Sequence, residues 1–174
     1  MSEVYTLAGG CFWCLDASFS QVHGVIGVDC GYTGGTVPNP TYQQVCTNTT
    51  GHAEAVRIEF DPEQLPPDVL LDMFFTVHDP TTLNRQGDDV GTQYRSAMFY
   101  TDDAQRERFT AARDRAARIW DVPIVTEIAP LTEFFRAEEY HQDYFAKNPE
   151  QSYCRLVVSK KVAAVRSAFA DYVG

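Results

Sequence analysis

The sequence predicts an α+β fold, a two-layer sandwich with a mixed central sheet and surrounding helices. Three observations predict it. Short stretches alternate large apolar and smaller or polar residues with the two-residue period of a half-buried strand, as in Ala-Val-Arg-Ile-Glu-Phe at 55–60. Other stretches repeat apolar residues at helical spacing, as in Val69, Leu70, Met73, Phe74 and Val77. The two kinds alternate imperfectly along the chain, which suits one mixed sheet better than a regular parallel one. With 174 residues, 44% of them hydrophobic, there is material for one core. No linker, repeat or low-complexity tract divides the chain, so residues 1–174 are expected to form a single domain.

Each element has its own reason. Residues 4–8 read as a short strand ending in the tight turn Gly9-Gly10, and residues 11–19 as a helix. Residues 25–32 read as a strand, followed by a Gly34-Gly35 loop with Pro38 and Pro40. Residues 42–46 make one helical turn and 55–60 a strand. Pro66-Pro67 opens a helix, because proline suits a first helical turn. Residues 78–94 are rich in Asp, Thr, Asn and Gly and read as a long loop, a kind of segment that frequently carries function. Residues 96–100 form a strand. Residues 102–120 form a helix with Phe109, Ala112, Ala116 and Ile119 on one face. Residues 124–128 read as a strand and 137–146 as a helix. Residues 160–172 form a C-terminal helix with Val162, Val165 and Phe169 inward. The pattern does not reveal the strand order.

Charge narrows the function classes. Fourteen basic residues stand against 24 acidic ones, a net charge of −10 that repels phosphate backbones, so no nucleic acid partner is expected. No stretch has the roughly 20 consecutive apolar residues that a bilayer span needs, so no membrane partner is expected. The first residues contain Glu3 and no basic cluster and do not read as a secretory signal, which points to a cytoplasmic location.

The five cysteines are Cys11, Cys14, Cys30, Cys46 and Cys154. An odd number argues against a secreted disulfide scaffold and for redox or metal chemistry. The strongest local signal is Gly9-Gly10-Cys11-Phe12-Trp13-Cys14. A strand and a glycine turn deliver Cys11 to a helix start, where unpaired backbone N–H groups and the macrodipole favour an anion and should lower a thiol pKa. Cys14 follows one turn on, and an i, i+3 helical pair can meet the roughly 4.4–6.8 Å Cα separation of a disulfide. A zinc site would need more ligands than this, and Cys30, Cys46 and the four histidines are scattered, so no metal is expected. A C-x-x-C pair alone would suggest a thioredoxin-like exchanger. Phe12 and Trp13 between the cysteines are unusual for one and suggest a substrate pocket, although aromatic residues also serve as plain core. A non-catalytic peptide-binding module is the third reading. Glu54 stands just before an apolar strand and is a candidate acid, since burial would raise its pKa. Nothing in spacing alone distinguishes Glu54, Tyr42, Asp89 or Tyr94 from ordinary solvated side chains.

Gly10-Cys11-Phe12-Trp13 resembles the signature of peptide methionine sulfoxide reductases of the A type. The match continues through Gly31-Tyr32-Thr33-Gly34-Gly35, Pro38-Asn39-Pro40-Thr41-Tyr42, Val45-Cys46 and Thr50-Gly51-His52-Ala53-Glu54-Ala55-Val56. It goes on through His78-Asp79-Pro80-Thr81-Thr82, Arg85-Gln86-Gly87, Gly91-Thr92-Gln93-Tyr94-Arg95-Ser96, Ala137-Glu138 and Tyr140-His141-Gln142, covering the chain in order to about Lys161. The resemblance implies Cys11 as nucleophile, Phe12 and Trp13 as walls for the S-methyl group, and Glu54 as proton donor to the sulfoxide oxygen. It implies Tyr42 and Tyr94 as hydroxyls holding that oxygen and Asp89 as a polar pocket carboxylate. It further implies action on the S epimer of free or peptidyl methionine sulfoxide, no metal or organic cofactor, and recycling by thioredoxin or a similar dithiol. Many family members have glycine in place of Cys14 and resolve with a C-terminal cysteine. Here both Cys14 and Cys154 are present. Tethering one turn away favours Cys14 as the first resolver, with Cys154 accepting the disulfide later or resolving directly. Cys30 and Cys46 are expected to be structural.

Overall fold

In the computed structural model, which describes residues 1–173, eight strands and six helices follow one another. They are β1 (Glu3–Ala8), α1 (Phe12–Ser20), β2 (Val25–Thr33), α2 (Tyr42–Cys46), β3 (Ala53–Phe60) and α3 (Pro67–Val77) in the first half. The hairpin β4 (Arg85–Gln86) and β5 (Asp89–Val90), β6 (Ala97–Tyr100), α4 (Asp103–Ala117), β7 (Glu127–Pro130), β8 (Phe135–Arg136), α5 (Tyr144–Lys147) and α6 (Ser159–Ala168) complete it.

Six strands form one sheet in the order β7-β6-β1-β3-β2-β8. All pairings are antiparallel except β6 with β7, so the sheet is mixed, in agreement with the α+β expectation. Alternation sorts each strand onto two faces. Tyr5, Leu7, Cys30, Tyr32, Val56, Ile58, Phe60 and Met98 face the helices. Ala8, Ala53, Ala55, Ala97 and Phe99 face the other way, against Leu131 and Phe134. Helix α1 lies on β2 and β3, α4 lies on β6 and β7, and α3 packs against α4 and α6.

Helix starts follow local chemistry. Thr41 and Gln44 form a reciprocal capping box for α2. Pro67 occupies the first turn of α3. Asp102 caps α4 by accepting from the Gln105 N–H at 2.8 Å.

Several expectations are corrected. Helix α4 stops at Ala117, so Ile119 leaves the apolar face and is 81% exposed, while Phe109, Ala112 and Ala116 are buried. The strand expected at 124–128 is shifted to Glu127–Pro130, where it pairs with β6. The stretch 137–146 is not one helix. A short 3-10 turn (Glu139–His141) is cut from α5 by Asp143, whose backbone is left-handed (φ 54°). The buried Asp16 carboxylate accepts the Asp143 N–H at 2.9 Å and holds that break. The side chain of Gln142 meanwhile pairs with the backbone of Cys30, accepting its N–H at 2.8 Å and donating to its carbonyl at 3.1 Å. The C-terminal helix begins earlier than residue 160, because a π-helical turn over Cys154–Val158 feeds into α6. The loop at 78–94 contains the β4–β5 hairpin and a 3-10 turn at Thr92–Tyr94.

Phe109 is fully buried with its ring edge-on to Tyr5 at 5.0 Å. Phe109→Ala is expected to lower stability by about 3–5 kcal/mol in urea denaturation. Ile119→Ala is expected to change it by no more than about 0.5 kcal/mol.

Candidate active site

The site begins at the turn between β1 and α1. Gly10 has φ +83°, a conformation that favours glycine, and donates its N–H to the Tyr94 carbonyl at 3.2 Å. Gly9 lies against the His78 ring, and a Cβ there would stand 2.8 Å from it. His78 is buried and locked, with Nδ1 on the Phe74 carbonyl at 2.6 Å and Nε2 on Ser96 Oγ at 2.8 Å. Burial pushes it down to about pH 4, so it is a neutral wedge under the turn. The turn leaves Cys11 at the N-cap of α1 in extended conformation and 8% exposed.

Strand β3 brings Glu54 to the same place. Its side chain is fully buried, and Oε1 accepts the Phe12 N–H, a first-turn amide of α1, at 3.2 Å. Oε2 has no hydrogen-bond partner. Burial, the dominant influence, lifts Glu54 from the ordinary 4.5 to about 8, against the pull of the Phe12 amide. At neutral pH it is therefore a carboxylic acid with a proton to give.

The expected pull of the helix start on Cys11 is present but outweighed. The Trp13 N–H favours a Cys11 anion, yet burial pushes the thiol well above its usual value, helped by a hydrogen bond with Cys14 and the charge of Glu54. Cys14 is pushed down, chiefly by that hydrogen bond and also by the charge of Lys161, against burial. None of the five cysteines is in a disulfide.

Phe12 and Trp13 stand in an aromatic nest. Phe12 lies against Tyr32, Tyr42 and His141 at centroid distances of 5.7, 6.4 and 5.0 Å. Trp13 stacks flat on Tyr144 at 3.8 Å and donates Nε1–H to His141 Nδ1 at 3.0 Å. That bond requires the neutral His141 tautomer with hydrogen on Nε2, and burial pushes its pKa down accordingly. His141 Nε2 is buried without a partner. The pKa values of Tyr42 and Tyr94 are both raised, first by burial and next by Glu54, so both remain phenols able to donate. Asp89, on β5, accepts the Tyr153 hydroxyl at 2.6 Å, and that phenol oxygen is 4.0 Å from Cys14 Sγ. Cys154 is fully buried beside Tyr153. Among the described residues no group of three or more His, Cys, Asp or Glu side chains could hold a metal ion.

A family model for peptide methionine sulfoxide reductase matches residues 3–172. The chain belongs to this family. It is 56% identical over 171 residues to the peptide methionine sulfoxide reductase MsrA of Clavibacter michiganensis, covering 98% of each. Reduced Mxr1 from Saccharomyces cerevisiae superimposes with a TM-score of 0.83 at 35% identity, over 88% of this chain and 89% of that one. Mxr1 in complex with Trx2 superimposes with a TM-score of 0.60 at 26% identity, over 82% and 84% of the two chains. The protein is thus an oxidoreductase that reduces methionine sulfoxide.

Sequence reasoning about this reductase passed over Tyr144 and gave no role to Tyr153 or Glu138, although both stand in the matched segments. Glu138 accepts the Tyr32 hydroxyl at 2.8 Å and the Tyr42 N–H at 3.0 Å, and so fixes two walls of the nest. The match at Ala137-Glu138 and the neighbourhood of Tyr153 to Cys154 were the signals available for two of them. His141 appeared in the sequence match without a role.

The raised pKa of Glu54 ties the reductase's stability to pH. The folded state holds this proton more tightly than the unfolded chain, so stability is greatest below about pH 4.5 from this group and declines as pH rises through about 8. Glu54→Gln should flatten that decline when urea midpoints are compared across the window.

Proposed function

We propose that residues 1–174 act as one catalytic domain that reduces the S epimer of free or peptidyl methionine sulfoxide. The observation that carries this reading is the buried, protonated Glu54, anchored at Phe12 beside Cys11 with one oxygen unspent. A sulfoxide sulfur is weakly electrophilic, so its oxygen must gain a proton as the nucleophile arrives. Glu54 supplies that proton, and Tyr42 and Tyr94 hold the oxygen as hydroxyl donors. Phe12 and Trp13 receive the S-methyl group. Asp89 sets the polar side of the pocket.

In the first step the Cys11 sulfur bonds to the sulfoxide sulfur as Glu54 protonates its oxygen. The oxygen then passes to the Cys11 sulfur as the S–O and S–S bonds to the substrate sulfur break. Methionine leaves as the two-electron-reduced thioether, and Cys11 is left as a sulfenic acid. The proton lost by Cys11 replaces the one Glu54 gives up. Cys14 then condenses with the sulfenic acid, releasing water and forming a Cys11–Cys14 disulfide. The Cys154 thiol afterwards attacks Cys14, forming a Cys14–Cys154 disulfide, and Cys11 leaves as a thiol with the proton that Cys154 gives up. A thioredoxin-like dithiol returns the enzyme to its reduced form, a role supported by the Mxr1–Trx2 complex. A thiol-dependent cycle of this kind, repairing oxidised proteins, suits the reducing cytoplasm. No helix among the described residues is long and apolar enough to cross a membrane.

Incubation with a racemic methionine sulfoxide and dithiothreitol should consume the S epimer and leave the R epimer. Rapid insulin reduction without sulfoxide loss would instead make this a general disulfide exchanger. Glu54→Gln should slow sulfoxide reduction by about 100-fold or more while Cys11 still reacts with iodoacetamide. The parent rate should fall as pH rises past about 8, where Glu54 ionises. After one turnover, Cys14→Ser should retain a Cys11 sulfenic acid by mass spectrometry. A complete Cys11–Cys154 disulfide formed at the parent rate would remove Cys14 as the required resolver.

A further inference from the structure

A cleft of about 200 Å³ opens over Cys11 and Cys14, and its rim carries Asp88, Asp89, Tyr153 and Lys161. Lys161 is the one basic side chain among the described residues that line it. It stands in the first turn of α6, which packs on α1. Its ammonium donates at 2.9 Å to the carbonyl of Val77, the last residue of α3. Carbonyls at a helix C-terminus lack intrahelical partners and carry the negative end of the helix dipole. A flexible side chain is thereby pinned, with its charge beside the cleft.

We propose that Lys161 is a positioning residue for the second half of the reaction: its ammonium, held at the end of α3, keeps Cys14 available as a thiolate when the Cys11 sulfenic acid forms. This rests on the reading of Cys14 as the resolving thiol. In that step the Cys14 sulfur forms the S–S bond with its own electron pair. The S–O bond of Cys11 breaks, and the oxygen leaves as hydroxide and takes up a proton to become water. No outside oxidant or reductant enters.

The groups around Cys14 show why a cation is needed there. Asp89 and Asp88 on the hairpin side, and Glu54 on the β3 side when ionised, oppose a second anion. Tyr153 has one hydroxyl hydrogen, and Asp89 holds it at 2.6 Å. Towards Cys14 the phenol oxygen is therefore an acceptor, which favours the thiol. Cys154, buried in the C-terminal segment, adds no positive charge. The hydrogen bond from the Cys11 thiol steadies a Cys14 anion in the reduced pair. That thiol no longer exists once the sulfenic acid has formed, whereas the charge of Lys161 persists through the step.

The test follows one oxidative turnover without reductant. Full-length enzyme is mixed with less than one equivalent of methionine S-sulfoxide, acid-quenched at successive times and weighed. Sulfenic acid and disulfide differ in mass by one water, and the methionine released reports how much enzyme has turned over in each sample. Lys161→Gln keeps a donor for the Val77 carbonyl but loses the charge. It should convert sulfenic acid to disulfide about tenfold more slowly at neutral pH, approaching the parent rate as pH rises and bulk base ionises Cys14. Lys161→Arg should restore the parent profile. A Lys161→Gln profile that superimposes on the parent's, or a Lys161→Arg as slow as Lys161→Gln, would overturn the proposal. Cys14→Ser separates the two readings. If it forms a disulfide at the parent rate, Cys14 is not the resolver and both fall. If it accumulates sulfenic acid while Lys161→Gln does not, only the role of Lys161 falls.

Discussion

The contact on which the rest of the site depends is the hydrogen bond from the Phe12 N–H to Glu54 Oε1. It joins the first turn of α1 to the central strand of the sheet across 42 residues of chain. A helix start must dispose of amides that have no partner within the helix, and a buried carboxyl must find at least one donor. Each need answers the other. The result places the nucleophile and the acid side by side on two rigid elements. It also leaves the second carboxyl oxygen free, because the same burial admits no further partner. The β1–β3 and β2–β3 ladders on either side of β3 keep that strand from shifting, and a slip of one residue would turn Glu54 to the opposite face.

Burial is the common cause behind the electrostatics of the site. It holds Glu54 protonated, His78 neutral and the phenols of Tyr42 and Tyr94 intact. It also raises Cys11, so the dipole of a nine-residue helix does not by itself make a thiolate there. The reduced site is consequently a set of neutral donors around a pair of sulfurs that share a hydrogen bond. Proton placement is thus set by burial before substrate arrives.

The parts of this arrangement that depend on local pattern were legible in the sequence. Strands β1, β2 and β3, helix α3 and the Cys11 turn follow from alternation, helical spacing and paired glycines. The one-turn helix α2 was likewise expected at 42–46, whereas its cap by Thr41 and Gln44 came from the structure. The misreadings came where a distant residue decides a local shape. The segment after Ala137 has helical composition, but Asp16 captures the Asp143 N–H and Gln142 is drawn to the edge of β2, so the helix breaks. Ile119 continues the spacing of Phe109, Ala112 and Ala116 beyond the point where α4 ends. The site divides the same way. Cys11, Cys14, Phe12 and Trp13 announce themselves in one motif. Glu54, Tyr42, Asp89 and Tyr94 were singled out by likeness to a family and not by their own spacing. Trp13 with His141, 128 positions apart, and Tyr153 with Asp89, 64 apart, are pairings that no local pattern encodes.

The burial of Cys11 has a consequence for an enzyme that works while oxidants are present. Peroxide reacts with thiolates, and its selectivity follows anionic character and access. Cys11 offers little of either: it is 8% exposed and its proton is held tightly. Its attack on a sulfoxide is helped by the proton acceptor, the sulfoxide oxygen, that the substrate itself brings to Glu54. The nucleophile is thereby insulated from the reagent that creates its substrate, and a chance encounter with peroxide is less productive than an encounter with the damage peroxide leaves behind.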